Sequence, residues 1–219
     1  MTSQEKIEHS NKLVHEGLIN SLRKMVPESQ ISFSHKTEQC CVALVDIVNS
    51  TNITARLPNT FACMYYDVFL NMMSAIAVDS GAAVVKNIGD SLLFYYPSTI
   101  GNEKKTGFGS VIESLFKMIN TRPIINEILN DNKLPEMSYR ISCDYGTVLM
   151  ADSKTSNTKD IFGAPVNYCS KINRLANPNE IVIGGDMHQR VKNLKNFAFT
   201  ELKNVEKPFG YSVYTVKKI

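Results

Sequence analysis

The chain has 219 residues, 43% of them hydrophobic and 21% charged, with a formal net charge of +3. That is ordinary for a globular protein and leaves room for one domain of about 180 residues with an appendage. The charge is too small, and its lysines and arginines too scattered, to point to nucleic acid or to an anionic membrane surface.

Taken in chain order, Ile7, Val14, Leu18, Leu22 and Met25 recur at helical spacing, and Pro27 stops that helix. The polar stretch through Glu38 reads as a linker. Residues 1–38 therefore stand apart as an N-terminal helix and linker, with the main domain at 39–219. The helix suits packing on the domain and a dimer-forming or signal-relaying stalk equally well. QCCVALVDIV is a buried strand that ends near Asp46 and runs into the polar turn NSTNIT. Pro58, Asn59 and Thr60 start a helix whose apolar face is Phe61, Tyr65, Val68, Phe69, Met72 and Ile76, and Gly81 ends it. AAVVKNI and SLLFYY are two short strands joined around Gly89-Asp90, a hairpin signal. A helix fits Ser110–Asn120, and Pro123 opens another through Leu129. SYRISCDYGTVLMAD alternates as one or two strands, and residues 164–176 are helix-like. EIVIGG is a short strand, Asp186–Lys192 a small helix, and strands follow near Phe197–Leu202 and Tyr211–Val216.

The N-terminal residues lack the apolar core of a signal peptide, and the longest apolar region is interrupted by Asp67, Asn71, Asp79 and Ser80. The five cysteines are odd in number and show no CxxC spacing. The expectation is a cytoplasmic protein with structural thiols and no membrane span.

Strand, helix, hairpin, helix, strand predicts an α+β fold of ferredoxin-like (split βαβ) type, an antiparallel sheet with helices on one face. Such a sheet sets the end of its first strand beside its hairpin tip, so Asp46 and Asp90 come together. Two carboxylates that close repel, and divalent cations remove that cost. Mg²⁺ characteristically takes one or two carboxylates plus substrate phosphates. The hydroxyls of Ser50 and Thr51, just after Asp46, suit phosphate oxygens. Taken alone, the two aspartates read more readily as turn residues, which Asp favours.

Longer segments carry a resemblance. VALVDIVNST, VVKNIGDSLLFYYP and KDIFGAPVNYCSKI resemble, in the right order, three motifs of the class III nucleotidyl cyclases, the adenylate/guanylate cyclase catalytic domain family. RISCDYG is similar to the strand between the second and third, and LINSLRKMVPESQ more weakly resembles the helix and linker that often precede such domains. The likeness covers about residues 39–216.

The resemblance implies cyclisation of a nucleoside triphosphate, in which the ribose 3′-oxygen attacks the α-phosphate and pyrophosphate leaves. Asp46 and Asp90 match the aspartates that hold two Mg²⁺ or Mn²⁺ ions, with the carbonyl of Ile47 as a further ligand. Lys86 and Asp160 match the purine-reading pair of adenylyl cyclases, where guanylyl cyclases commonly carry Glu at the first position. Lysine has only donors and ionised aspartate only acceptors, which fits N1 and the amino group of adenine and mispairs guanine. The substrate implied is ATP. Asn167 matches the ribose-orienting asparagine. Lys171 stands where the family usually has an α-phosphate arginine; it keeps the charge but lacks the planar fork. Arg174, a turn further on, is a candidate substitute. Lys207 resembles a late lysine that touches the terminal phosphates, and Asp144 stands where many relatives have His, with no role assigned.

In this family the metal aspartates of one subunit face the base- and ribose-reading residues of the other. A chain with both sets implies a head-to-tail, two-fold homodimer with two sites. Three alternatives remain at this stage: a catalytically weak or silent nucleotide-binding module, a guanylate cyclase, and another palm-like enzyme such as a diguanylate cyclase or a nucleotidyltransferase. The last fits poorly. Gly184-Gly185-Asp186 lies far from the hairpin, and no basic stripe suggests a polynucleotide template.

Overall fold

Six consecutive buried residues, Cys40–Val45, put the first strand at the centre of the molecule. The computed structural model describes residues 19–21, 24, 31–97, 107–153, 159–203 and 210–219. The helix expected at 5–26 lies outside these, apart from residues 19–21 and 24, which are helical. In chain order the elements are β1 (Ile31–Ile47), α1 (Ser50–Thr54), α2 (Asn59–Asp79), β2 (Ala83–Ile88), β3 (Ser91–Tyr96), α3 (Phe108–Asn120) and α4 (Arg122–Asp131). There follow β4 (Tyr139–Ser153), β5 (Lys159–Phe162), α5 (Ala164–Ile172), a 3₁₀ turn (Asn173–Leu175), β6 (Ile181–Gly184), α6 (Gly185–Val191), β7 (Phe197–Glu201) and β8 (Val213–Lys218).

The stretch before Glu38, expected as linker, is strand from Ile31 onward. Thr37 and Glu38 pair with Leu149 and Val148 of β4. Ladder hydrogen bonds are made by backbone, so a polar sequence can extend a strand wherever a partner strand is present.

The sheet runs β2-β3-β1-β4-β6-β8-β7, with β5 paired to β4 off that path. Its first four strands are antiparallel in the split βαβ order. The expectation of an all-antiparallel sheet fails at β6, which pairs parallel to β4. The chain between them passes through β5, α5 and the 3₁₀ turn, long enough for the crossover that parallel neighbours need.

Helices also occupy both faces rather than one. Cys41, Ala43, Val45 and Ile47 of β1 point into the main core with α2, α3, α4 and α6. Their alternates Cys40, Val42 and Leu44 point to the other face, where Cys169 and Val166 of α5 pack against them. An apolar run buried on both sides is why β1 shows no polar alternation.

By length and composition α2 could cross a membrane. Here its stripe of Tyr65, Phe69, Met73, Ile76 and Ala77 packs in the main core instead. The stripe is slightly rotated from expectation, with Met73 rather than Met72 fully buried and Phe61 41% exposed. Phe69 lies 5.4 Å from the ring of Tyr139 on β4 and ties helix to sheet. Phe69→Ala should cost about 3–5 kcal/mol in urea unfolding; a loss well under 1 kcal/mol would show that this stripe does not hold the core together.

Candidate active site

Strand register decides what stands around Asp46. Its partner on β3 is Ser91, and its partner on β4 is Arg140. Asp90 immediately precedes Ser91, so the register that pairs Ser91 with Asp46 also delivers the second carboxylate. The β2–β3 hairpin closes through two residues, and only Gly89, at φ +62°, has positive φ. Nothing lies within 4 Å of a Cβ built there, so glycine is needed for backbone conformation, not for space.

Each carboxylate is oriented by a hydroxyl from another element. Ser91 Oγ donates to Asp46 Oδ1 at 2.5 Å. Ser50 Oγ, at the start of α1, donates to Asp90 Oδ2. Arg140 Nε lies 3.5 Å from Asp46 Oδ2 and is buried without a hydrogen bond. A cavity of about 530 Å³ opens over this group, lined by Asp46, Ile47, Ser50, Thr51, Asp90, Ser91, Arg140, Asn173 and Arg174 among others. The Ile47 side chain is in the main core, so the backbone of that residue is what reaches the cavity. A larger hollow of about 730 Å³ beside α3 contains none of the expected site residues.

Among the described residues no three His, Cys, Asp or Glu side chains converge on one point. That excludes a closed structural cage there. It does not bear on Mg²⁺, which characteristically takes one or two carboxylates plus substrate phosphates.

A second pair forms further along the hairpin. Lys86 Nζ meets Asp160 Oδ2 at 2.5 Å, while Asp160 Oδ1 accepts from the Ile161 N–H at 2.9 Å. A bulge in β2 makes this possible. Val84 pairs with Phe94 and Lys86 with Leu93, so Val85 is the extra residue. Leu93 belongs to the α5 face of the sheet. Without the bulge Lys86 would stand opposite Leu92, which faces the main core.

The model of the adenylate and guanylate cyclase catalytic domain family matches residues 33–216. The chain belongs to this family. Its fold is that of the class III cyclases. The adenylyl cyclase CyaB from P. aeruginosa superposes with a TM-score of 0.74 at 17% identity, covering 84% of this chain and 96% of that one. The guanylyl cyclase Cya2 gives 0.70 at 14% identity, covering 84% and 94%. The catalytic core of a rhodopsin-guanylyl cyclase with converted specificity, in complex with ATPαS, gives 0.67 at 20%, covering 84% and 98%. Adenylyl and guanylyl cyclases fit about equally well, so the fold does not choose the base. None of the curated proteins matches the chain.

In this cyclase domain the expected residues fall into separate groups. Asp46, Ile47, Ser50, Thr51 and Asp90 share the cavity. Lys86 and Asp160 pair outside its lining. Asn167 and Lys171 are exposed on α5 and do not line it. Lys207 lies outside the described residues. Sequence reasoning gave no role to Arg140, the one arginine of β4, which stands directly opposite Asp46.

Asp144, also left without a role, is fully buried on β4. It accepts from the Met187 N–H of α6 at 3.2 Å and from the Tyr211 hydroxyl at 3.0 Å. Tyr211 stacks on Tyr168 of α5, ring centroids 4.1 Å apart. A Cβ at Gly184 would fall 2.4 Å from the carboxyl of Asp144, so a side chain there would collide with it. Asp144 therefore ties β4 to α6 and, through Tyr211, to α5.

Burial pushes its carboxyl up to about 6, hydrogen bonds from Tyr145, Tyr211 and Met187 pull the other way, and Asp186 adds to the rise. The folded state thus holds this proton more tightly than the unfolded chain. The stability it contributes is full below the ordinary carboxylate range and is lost as pH rises through about 6. The loss amounts to roughly 3 kcal/mol by pH 7. Melting of wild type and Asp144→Asn from pH 4 to 7.5 should show this decline in the wild type only; equal slopes would mean that Asp144 does not titrate as described.

Proposed function

We propose that the protein is an adenylate cyclase that converts ATP to 3′,5′-cyclic AMP and pyrophosphate at sites shared by two chains. The observation that carries the choice of base is the Lys86–Asp160 pair, held on one face by the β2 bulge. Lys86 keeps two further protons for adenine N1, and Asp160 keeps lone pairs for the amino group while still paired. Guanine would set its N1–H against an ammonium and its O6 against a carboxylate.

Two Mg²⁺ or Mn²⁺ ions, held by Asp46, Asp90 and the Ile47 carbonyl, would make the 3′-oxygen a better nucleophile and neutralise charge on the phosphates. Ser91 and Ser50 hold the two carboxylates in position for them. The hydroxyls of Ser50 and Thr51 and the guanidinium of Arg140 border the same cavity and suit phosphate oxygens.

Lys86, Asp160, Asn167 and Lys171 do not line the cavity of Asp46 and Asp90 in their own chain. A complete set therefore comes from two chains arranged head to tail. Asn167 of one would orient the ribose held by the other, and Lys171 would face the α-phosphate with a point charge in place of a two-pronged donor. Lys171 is also what favours a second reading, a slow or silent nucleotide-binding module, since one well-aimed transition-state donor is worth about 10²–10³ in rate.

Protein incubated with ATP or GTP and Mg²⁺ or Mn²⁺ should make cyclic AMP and pyrophosphate from ATP. Cyclic GMP as the main product would overturn the base assignment, and tight binding without product would favour the silent module. Lys171→Arg should raise turnover by about tenfold or more, and an unchanged rate would remove Lys171 from the reaction. Asp46→Ala and Asn167→Ala chains, each inactive alone, should recover activity when mixed, because a mixed dimer keeps one intact site; mixed dimers without activity would end the shared-site scheme.

A further inference from the structure

Arg174 follows α5 in the 3₁₀ turn and lines the cavity of Asp46 and Asp90 in its own chain. Ser170, one helical turn earlier, lines it too. Residues four apart share a helix face, whereas each single step turns about 100°. Lys171, one step beyond Ser170, is thereby rotated off this stripe and does not border the cavity. Arg174 is exposed and makes no ion pair or hydrogen bond among the described residues.

The wall around it is largely polar. Arg140 Nε and Asn173 Oδ1 are buried, lack hydrogen-bond partners and belong to residues lining the same cavity. Asn173 is only 2% exposed, and its amide nitrogen is committed to Leu44 O, Arg140 O and Ser142 Oγ. The lining carries two carboxylates, Asp46 and Asp90, and two guanidiniums, Arg140 and Arg174. Two dications would match a fully ionised triphosphate charge for charge, and the two arginines would then balance the two aspartates.

We infer that Arg174 binds the terminal phosphates of the nucleotide held by its own chain's aspartates, and the pyrophosphate left after reaction. It acts in cis. It therefore does not replace the arginine missing at Lys171, which on the shared-site scheme serves the partner's nucleotide. The inference rests on the cyclase reading above.

Mixed dimers separate the two cases. The single intact site of an Asp46→Ala and Asn167→Ala pair uses the aspartates of the Asn167→Ala chain. Adding Arg174→Ala to that chain should lower activity about tenfold or more, while adding it to the Asp46→Ala chain should change little. A loss confined to the Asp46→Ala chain, or no loss on either, overturns the inference. If the parent mixture itself is inactive, the shared-site scheme falls and binding decides Arg174 alone. Calorimetry of wild-type and Arg174→Ala homodimers with Mg²⁺ and α,β-methylene-ATP should then show affinity about tenfold weaker in the variant, with Arg174→Lys between the two. Equal affinities overturn the inference. Matching melting temperatures establish that the variant is folded.

Discussion

The row Ser91–Asp46–Arg140, one residue from each of three neighbouring strands, is the constraint on which the rest of the site depends. No loop positions these groups; ladder hydrogen bonds do. A slip of one residue between β1 and β3 would turn the seryl hydroxyl away from Asp46 and move Asp90 out of reach. Slippage is opposed from both sides, because β1 buries Cys41, Ala43, Val45 and Ile47 on one face and Cys40, Val42 and Leu44 on the other. The apolar core thus holds two like charges on one cavity at its edge.

Regular pairing places the carboxylates, and a break in regularity places Lys86. The extra residue Val85 enters the second core while Lys86 stays on the same face, against Asp160. Asp160 is itself fixed by β5, which pairs Ala151 with Asp160. The hairpin therefore serves two purposes four residues apart, a carboxylate at its tip and an ammonium on its flank. Asp144 works from beneath. Its buried carboxyl joins α6 and Tyr211, and Tyr211 rests on Tyr168, the neighbour of Asn167.

Much of this was legible in the residues. The hairpin at Gly89-Asp90, the helix beginning near Asn59 and the carboxylate at the end of β1 follow from local pattern, because turn chemistry and periodicity act over a few residues. Four features did not. The strand from Ile31 to Glu38 depends on a partner more than a hundred residues away, and its alternation stops after Ile31-Ser32-Phe33-Ser34, giving way to the polar HKTE. The parallel β6 and the placement of α5 on the second face depend on which way a crossover folds back. The roles of Arg140 and Asp144 depend on cross-strand and cross-layer neighbours, which a linear reading cannot rank. The bulge at Val85 belongs with these, since its only trace is that VVK carries one residue too many for the pairing around it.

The Lys86–Asp160 pair shows why partial exposure suits a recognition element. The lysine side chain is 46% exposed and the aspartate 19%, so the pair is screened and adds little to stability. A fully buried pair would resist any ligand that had to share its charges, because breaking it would strand one of them. A fully exposed pair would leave the lysine to wander among rotamers, and a base would bear the entropy of ordering it. Here the aspartate is fixed by the Ile161 N–H and the lysine by the aspartate, with ammonium protons and carboxylate lone pairs left over. On the proposed function, adenine meets an edge already ordered and gives up little to join it, so discrimination between bases falls on donor and acceptor pattern rather than on the work of building the site.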